Sequence, residues 1–540
     1  MKFHILLSGV AVTAALLAGC GGGSSGTAQT PVTPTEPTTP TEPTTPTTPT
    51  TPTTPTTPTT PTDPTTPTTP TTPTDPTTPT TPTDPVTPSP PEWYTLLNHC
   101  AVPRGAGYPD VQGTLNEEMR WLHSFFDATY LWYREIPANL NMTDYSTAID
   151  YFMQLKTSAV TASGRPKDRF HFTYPTATWE ALNSSGVALG YGLTWLRNND
   201  AALSRILTVG MVEPGSPAAL AGMQRGDSLV SADGVSVTDT SSASVATVNA
   251  ALAPKVAGES HVLSWRRNGM EMQATLAARN LTIPPVRMAK VLDTDDGKVG
   301  YLHFNEHNAV AEGQLVNAFR TFKDAGVKDL VLDMRYNGGG LLTIASELAY
   351  MIAGPQATVG RIFEKPIYND KTTPQPAILF QAAALGYRSD NTIKAGTALP
   401  YLNLKRVTVL TSAGTCSASE SVINSLRGVD VQVNLIGGET CGKPYAFTPA
   451  SNCGTTYFAI QLQGVNDKGF GDYADGFTPT CRVSDDLAHA QGDPAEGLLA
   501  AALSYRSTGV CPVTPKALRS SAAAGPLTPW RHEVQEISIR

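Results

Sequence analysis

A layered α/β core, preceded by a helical segment and a β-rich module and set behind a stretch that does not fold, is the architecture this sequence predicts. Three observations carry the prediction. Strand-like apolar runs alternate with amphipathic helical patterns through residues 281–512, the signature of strand–helix layers. Short β-type runs separated by Gly-Ser-Pro turns fill residues 186–280, and helical patterns with capping signals occupy residues 93–185.

The N-terminus reads as an export leader and a spacer. Met1–Cys20 has one lysine, an apolar run and the ending Leu17-Ala18-Gly19-Cys20, too short for a membrane span and typical of a cleaved signal. That ending resembles the lipobox of bacterial lipoproteins. The resemblance implies cleavage before Cys20, acylation of its thiol and a membrane contact through the lipid. Each acyl methylene buried contributes about 0.8 kcal/mol to anchoring. Gly21 at the next position fits outer-membrane sorting in a Gram-negative cell, so the expected location is an exported lipoprotein facing the periplasm or the cell surface.

Of the 45 prolines, 22 lie between Pro31 and Pro91, and from Pro31 to Pro88 they recur at every third position. The stretch holds five acidic residues, no basic ones and almost no apolar side chains, so it cannot bury enough surface to offset its ordering entropy. A period of three matches the turn of polyproline II. At ~3.1 Å per residue the repeat spans on the order of 180 Å, so residues 21–92 read as a linker. Residues 92–540 carry 37 basic and 41 acidic side chains, a balance that gives no support to non-specific nucleic-acid binding.

Besides Cys20 there are six cysteines, an even number that suits up to three disulfides in an oxidising compartment. Cys416 and Cys441 flank a candidate site described below, and a Cys441–Cys453 pair across a local hairpin is the expected connection. No CxxC or HExxH occurs, and His303 of the His303-x-x-x-His307 pair sits in a strand-like run, so neither a metal nor any other cofactor is expected.

In residues 93–185, Thr114 and Glu117 form a capping-box pattern ahead of Leu115, Met119, Leu122 and Phe126, and Ala148, Ile149, Phe152 and Leu155 share a second helical face. In residues 186–280 the phrase Val212-Glu213-Pro214-Gly215-Ser216-Pro217-Ala218, then Ala221-Gly222 and Arg225-Gly226-Asp227, resembles a PDZ domain of the bacterial protease type. Gly190-Tyr191-Gly192-Leu193 stands at the place of the PDZ carboxylate-binding loop. Glycines there let backbone N–H groups converge on a carboxylate, and the following strand can accept a peptide at its edge. In the α/β part, strands are expected at 300–304, 330–333 and 407–410, and helices at 309–325, 341–354 and 417–426. Val429, Val431, Val433 and Leu435 alternate as a half-buried strand.

Three phrases there carry chemistry. Val331–Gly340 ends a buried strand in Asn-Gly-Gly-Gly, offering unobstructed N–H groups of the kind an oxyanion hole needs. Thr411–Glu420 ends another strand, turns on small residues and starts a helix at Ser417, whose Ser-x-x-Glu spacing to Glu420 also fits a helix cap. Gly437–Lys443 supplies one lysine; buried beside Ser417 it would lose its charge and could deprotonate the hydroxyl. Together the phrases resemble the carboxyl-terminal processing peptidases, or tail-specific proteases, over roughly residues 115–508, with Asp475–Pro479 and Asp493–Ala502 matching later family features.

The resemblance implies a crotonase-like α/β protease core in residues 281–512, and a serine endopeptidase acting on proteins or peptides with accessible C-termini. It makes Ser417 the nucleophile and Lys443 the general base. Ala418 and one of Gly338–Gly340, chiefly Gly339 or Gly340, would supply oxyanion donors, while Glu420 would orient Lys443 or cap the helix. Many members have glutamine four residues after the lysine; here Phe447 stands there and cannot hydrogen-bond to an amine. A catalytically silent peptide-binding scaffold is therefore the alternative reading. Residues 513–540 carry no motif, though Trp530 and Arg531 could dock on the core. Oligomeric state has no signature in the sequence.

Overall fold

The structure, a computed structural model, describes residues 91–198, 205–387, 393–512 and 527–530. The leader, Cys20, the threonine–proline repeat and Arg531 lie outside the described residues. No helix among the described residues is long and apolar enough to cross a membrane.

The N-terminal segment is built around helix α1 (Leu115–Thr129), capped as its sequence predicts: Glu117 N–H donates to Thr114 Oγ1 at 3.2 Å, and the Thr114 hydroxyl donates to the Glu117 carboxylate at 2.9 Å. Its Met119, Trp121, Leu122 and Phe126 are buried, as are Tyr151 and Phe152 of α2 (Ala148–Phe152). This cluster is completed by Tyr457 and Ile460 from far along the chain. Strand β1 (Phe172–Pro175) explains the arrangement. It pairs antiparallel with residues 455–458, so the first folded segment is stitched to a late hairpin.

The β-rich module comprises β2 (Val187–Gly190), β3 (Leu193–Asn198), β4 (Leu207–Val212), β5 (Ser228–Ala232), helix α3 (Ser242–Leu252), β6 (Ser260–Arg267), β7 (Met270–Ala277) and β8 (Arg279–Thr282). Its main sheet runs β7-β6-β5-β4-β3, and β2 pairs with β8. Trp195, Val209, Leu263 and Trp265 form its core with Val248 and Leu252 of α3.

The α/β part is built on β9 (Val286–Leu292), β10 (Val299–Phe304), helix α4 (Ala311–Asp324), β11 (Asp329–Asp333), helix α5 (Leu342–Ala353), β12 (Arg406–Thr411), helix α6 (Ala418–Gly428) and β13 (Gln432–Gly437). It also contains a hairpin, β14 (Ala450–Asn452) and β15 (Thr455–Phe458), then β16 (Cys481–Arg482) and helix α7 (Gly497–Thr508). The sheet order is β9-β10-β11-β12-β13-β16, parallel except for β9. Alternation along β11 sorts its side chains. Leu330 and Leu332 join the cluster under α4, α5 and α6, whereas Val331 faces Leu498 and Leu499 of α7. Covering both faces makes inner strands apolar throughout. That corrects the reading of 429–435 as a half-buried strand: Val429 and Val431 belong to the turn closing α6, and five of the six residues of β13 are buried.

The carboxyl end of β11 is held by a buried ion network. Arg335 donates to Asp333 at 2.8 and 2.9 Å, and to Glu496 and Asp485 at 2.7 Å each. Burial pushes the Asp333 carboxyl up, but the Arg335 guanidinium outweighs it and holds the group down at about 2. From the β-rich module, Arg225 reaches the same place, donating to Tyr336 Oη at 2.8 Å and to Asp485 at 2.6 Å.

The disulfides are Cys100–Cys453, Cys416–Cys441 and Cys481–Cys511. The expected Cys441–Cys453 pair is not formed. The expected hairpin exists, but Cys453 and Gly454 form its two-residue tip, both with positive φ, where it meets Cys100. Cys441 lies on another loop, beside Cys416.

Candidate active site

Two turns at the carboxyl ends of β11 and β12 meet, as expected for a site at the strand ends of a parallel sheet. The β12 turn delivers Ser417 at φ 56° and ψ −119°, a conformation costly for a residue with a Cβ. Such strain persists only where neighbours over-determine it, and here they do. The Thr415 hydroxyl donates to Met334 O at 2.9 Å, Cys416 N–H to Asn337 O at 3.0 Å, and the Ser419 hydroxyl to the same oxygen at 3.0 Å. The turn ahead of Ser417 is thereby fastened to the glycine phrase as well as to Ser412 at the end of its own strand.

Asn337 organises the glycine side. Its Oδ1 accepts Gly339 N–H at 3.0 Å and its Nδ2 donates to Phe304 O at 2.9 Å. His307 braces the same turn: its N–H donates to Gly339 O at 3.0 Å, and its carbonyl accepts Leu341 N–H at 2.7 Å. Burial pushes the His307 imidazole down to about 4, so it is neutral near pH 7. Gly339 has φ +103°, and a Cβ there would lie 2.8 Å from Ser417 Cβ and 2.9 Å from Ala418 N. Only glycine permits that approach. The N–H groups of Ala418 and Gly340 have no hydrogen-bond partner among the described residues. The Gly339 N–H is already engaged by Asn337, which leaves Gly340 the better placed of the two expected donors.

Lys443 is buried, on a loop drawn against the start of α6. Glu420, fully buried, makes the connection. One carboxylate oxygen accepts Ser417 N–H at 3.0 Å and Lys443 N–H at 2.8 Å; the other accepts Gly442 N–H at 2.8 Å and the Thr440 hydroxyl at 2.6 Å. Burial raises the Glu420 carboxyl above the ordinary glutamate range, and these donors oppose that rise. Cys441 N–H donates to Thr415 O at 3.0 Å, and the Cys416–Cys441 bond, with Cα atoms 5.2 Å apart, adds a covalent tie. Of the two roles expected of Glu420, it meets the helix N-terminus and reaches Lys443 through the main chain. The Lys443 ammonium position lies 3.9 Å from the Phe447 ring centre and 5.3 Å from that of Phe170. A ring face of this kind attracts a cation.

The structure thus brings Ser417, Ala418, Glu420, Lys443, Gly339 and Gly340 to one place. Sequence reading missed Asn337 as an organiser, although an asparagine ahead of glycines is a known bonder of turn N–H groups. It also missed Arg169, which donates to Cys441 O at 2.5 Å and Ala474 O at 3.0 Å and so grips the lysine loop from the N-terminal segment. No local pattern could have announced that contact. His303 lies within β10 and His307 in the loop after it, so their spacing is not that of one helix face.

The Gly190–Leu193 loop joins β2 to β3. Tyr191 is a core residue whose hydroxyl donates to Ala251 O at 3.0 Å, and Gly192, φ +79°, packs so closely on Ser216 that a Cβ would fall 2.3 Å away. Leu193 then starts β3, the strand whose edge would receive a peptide.

A serine turn at the end of one parallel strand thus faces a glycine turn at the end of its neighbour, in a layered α/β part that follows a β-rich module. Residues 298–482 match peptidase family S41 and residues 208–267 match the PDZ domain. The chain therefore carries an S41 peptidase domain preceded by a PDZ domain. It is similar to the carboxyl-terminal-processing proteases of Synechocystis sp. (26% identical over 231 residues, 42% of this chain and 47% of that one) and Picosynechococcus sp. (26% over 264 residues, 48% and 56%). It spans about half the length of these curated relatives. A solved structure assigned to the S41 proteases, from Bacteroides fragilis, is 26% identical and superposes with a TM-score of 0.54, covering 75% of this chain and all of that one.

Proposed function

We propose that this chain is a lipid-anchored serine endopeptidase in which Ser417 and Lys443 form the catalytic dyad. The observation that carries the reading is the Glu420 bridge, which takes the N–H groups of Ser417 and Lys443 on a single carboxylate oxygen. In the reaction, the neutral Lys443 amine takes the Ser417 hydroxyl proton as Oγ attacks the scissile carbonyl. The oxyanion so formed is held by the N–H groups of Ala418 and Gly340. Lys443 returns the proton to the departing amine, leaving an ester on Ser417. A water, activated by the same amine, then releases the acid product. The Gly190–Leu193 loop and the β3 edge bind an unstructured C-terminal segment by strand addition.

The test is covalent. A fluorophosphonate probe applied to the purified full chain is expected to label one tryptic peptide, at Ser417, and to leave the Ser417→Ala protein unlabelled. Labelling at another serine with Ser417 untouched removes the assignment. A second reading, a peptide-binding scaffold without turnover, draws on the Phe447 ring beside the lysine, which favours a charged amine. Peptide binding without any probe labelling would select it.

The anchor belongs to the same proposal, with acylated Cys20 at the base of the threonine–proline spacer and the outer membrane of a Gram-negative cell as its seat. Cys20→Ser is expected to move the protein from the detergent-soluble membrane fraction to the aqueous fraction. Retention in the membrane would discard the anchor.

A further inference from the structure

The main sheet of the PDZ domain has one strand more than its own segment supplies. Residues Leu527–Trp530 form a strand, β17, that pairs antiparallel with β3, with Leu527 opposite Asn198, Thr528 opposite Arg197, Pro529 opposite Leu196 and Trp530 opposite Trp195. β3 begins directly after the Gly190–Gly192 loop, so the antiparallel direction brings the C-terminal end of β17 nearest that loop. This is the direction in which a C-terminal peptide would have to run to present its carboxylate to the loop. Proline lacks a ladder donor and is tolerated on an edge strand, where Pro529 stands. Trp530 packs against the PDZ core.

The same four residues also meet the peptidase. A Cβ placed on Gly414 would lie 2.6 Å from Pro529 Cδ and 2.8 Å from its Cγ, so the proline ring rests on the turn three residues ahead of Ser417. Gly414 is fixed in that turn, its N–H donating to the Ser412 hydroxyl at 3.0 Å. One short strand therefore covers the β3 edge and abuts the nucleophile turn.

We propose that Leu527–Trp530 is an intramolecular ligand of the PDZ domain, a built-in competitor that a substrate must displace from β3 before it is bound and delivered to Ser417. The ligand class follows from the occupant: an extended, uncharged segment with proline and a terminal aromatic residue. A tethered ligand acts at an effective concentration in the millimolar range, so even a weak intrinsic contact lowers the apparent affinity for outside peptides. The competition with substrate rests on the peptidase reading above, whereas the self-ligand contact does not.

The experiment separates the two. In the Ser417→Ala background, binding of fluorescein-labelled Gly-Pro-Leu-Thr-Pro-Trp is measured by anisotropy on the full chain, on a chain ending at Pro526, and on the full chain with Trp530→Ala. The truncated chain is expected to bind about tenfold more tightly than the full chain, with Trp530→Ala in between. Equal affinity in all three overturns the self-ligand. Circular dichroism and a thermal melt confirm folding, and if the truncated chain does not fold, Trp530→Ala against the full chain decides alone. In chains retaining Ser417, KM for an unfolded reporter is expected to fall by a similar factor on truncation, with kcat unchanged. Tighter peptide binding with no turnover in any chain would leave the self-ligand standing and remove the peptidase reading.

Discussion

Ser417→Ala is expected to lower kcat for an unfolded reporter by roughly a million-fold, to the limit of detection, and Lys443→Ala to do the same. The two losses are not additive. A nucleophile and its base act as one unit, so on the proposed assignment, once either is gone the remaining turnover comes from the oxyanion donors and from binding. The double variant is therefore expected to be no slower than either single one. Lys443→Arg is the discriminating control: a guanidinium keeps the charge but does not give up its proton in a protein, so it rescues nothing if the lysine is a base. Steady-state kinetics on the three variants checks this, and substantial activity in Lys443→Arg would remove the base assignment. Peptide binding at β3 should be unchanged in all of them, because neither Ser417 nor Lys443 belongs to β3 or to the Gly190–Leu193 loop.

Glu420→Ala destabilises the fold and slows the reaction together. Its carboxylate accepts from Ser417 N–H, Lys443 N–H, Gly442 N–H and the Thr440 hydroxyl. Deleting it orphans four donors, three of them on buried residues. At about 1–3 kcal/mol for each buried group left unsatisfied, partly relieved by entering water, the loss is on the order of 4 kcal/mol. The melting temperature is expected to fall by roughly 10 °C. What survives folding should still be about a hundredfold slower, since displacement of a catalytic group by an ångström costs that much. Glu420→Gln distinguishes charge from shape. It keeps one acceptor oxygen but turns an NH2 toward two donors, so it should recover little of either loss. Full activity in Glu420→Gln would show that the bridge does not position the dyad.

The α/β core was legible in the sequence because its inner strands are buried on both faces and read as unbroken apolar runs, as in Leu330–Asp333. The same physics misled at Val429–Leu435, where alternating valines imitate a one-sided strand while the first of them close a helix. The nucleophile, lysine and glycine phrases could be found because each is a local break in a strand–helix pattern. What links them could not be found so easily. Glu420 acts on main-chain groups of a loop more than twenty residues away, and Arg169 reaches that loop from the N-terminal segment. Disulfide pairing failed for a related reason: a hairpin was correctly expected, but which cysteine meets its tip is a matter of tertiary packing. Leu527–Trp530 has neither helical nor strand periodicity, and its partner strand lies more than three hundred residues earlier.

The Cys416–Cys441 bond has a consequence for where this chain can be dangerous. Disulfides form in oxidising compartments and not in a cytosol held reduced. If the chain is exported as proposed, these two cysteines are thiols until export. The turn carrying Ser417 and the loop carrying Lys443 are then joined by hydrogen bonds alone. On the proposed reading of an exported peptidase, the covalent tie between the Ser417 turn and the Lys443 loop forms only after the chain has left the proteins of its own cytoplasm behind. Secretion, on this view, doubles as a safety catch.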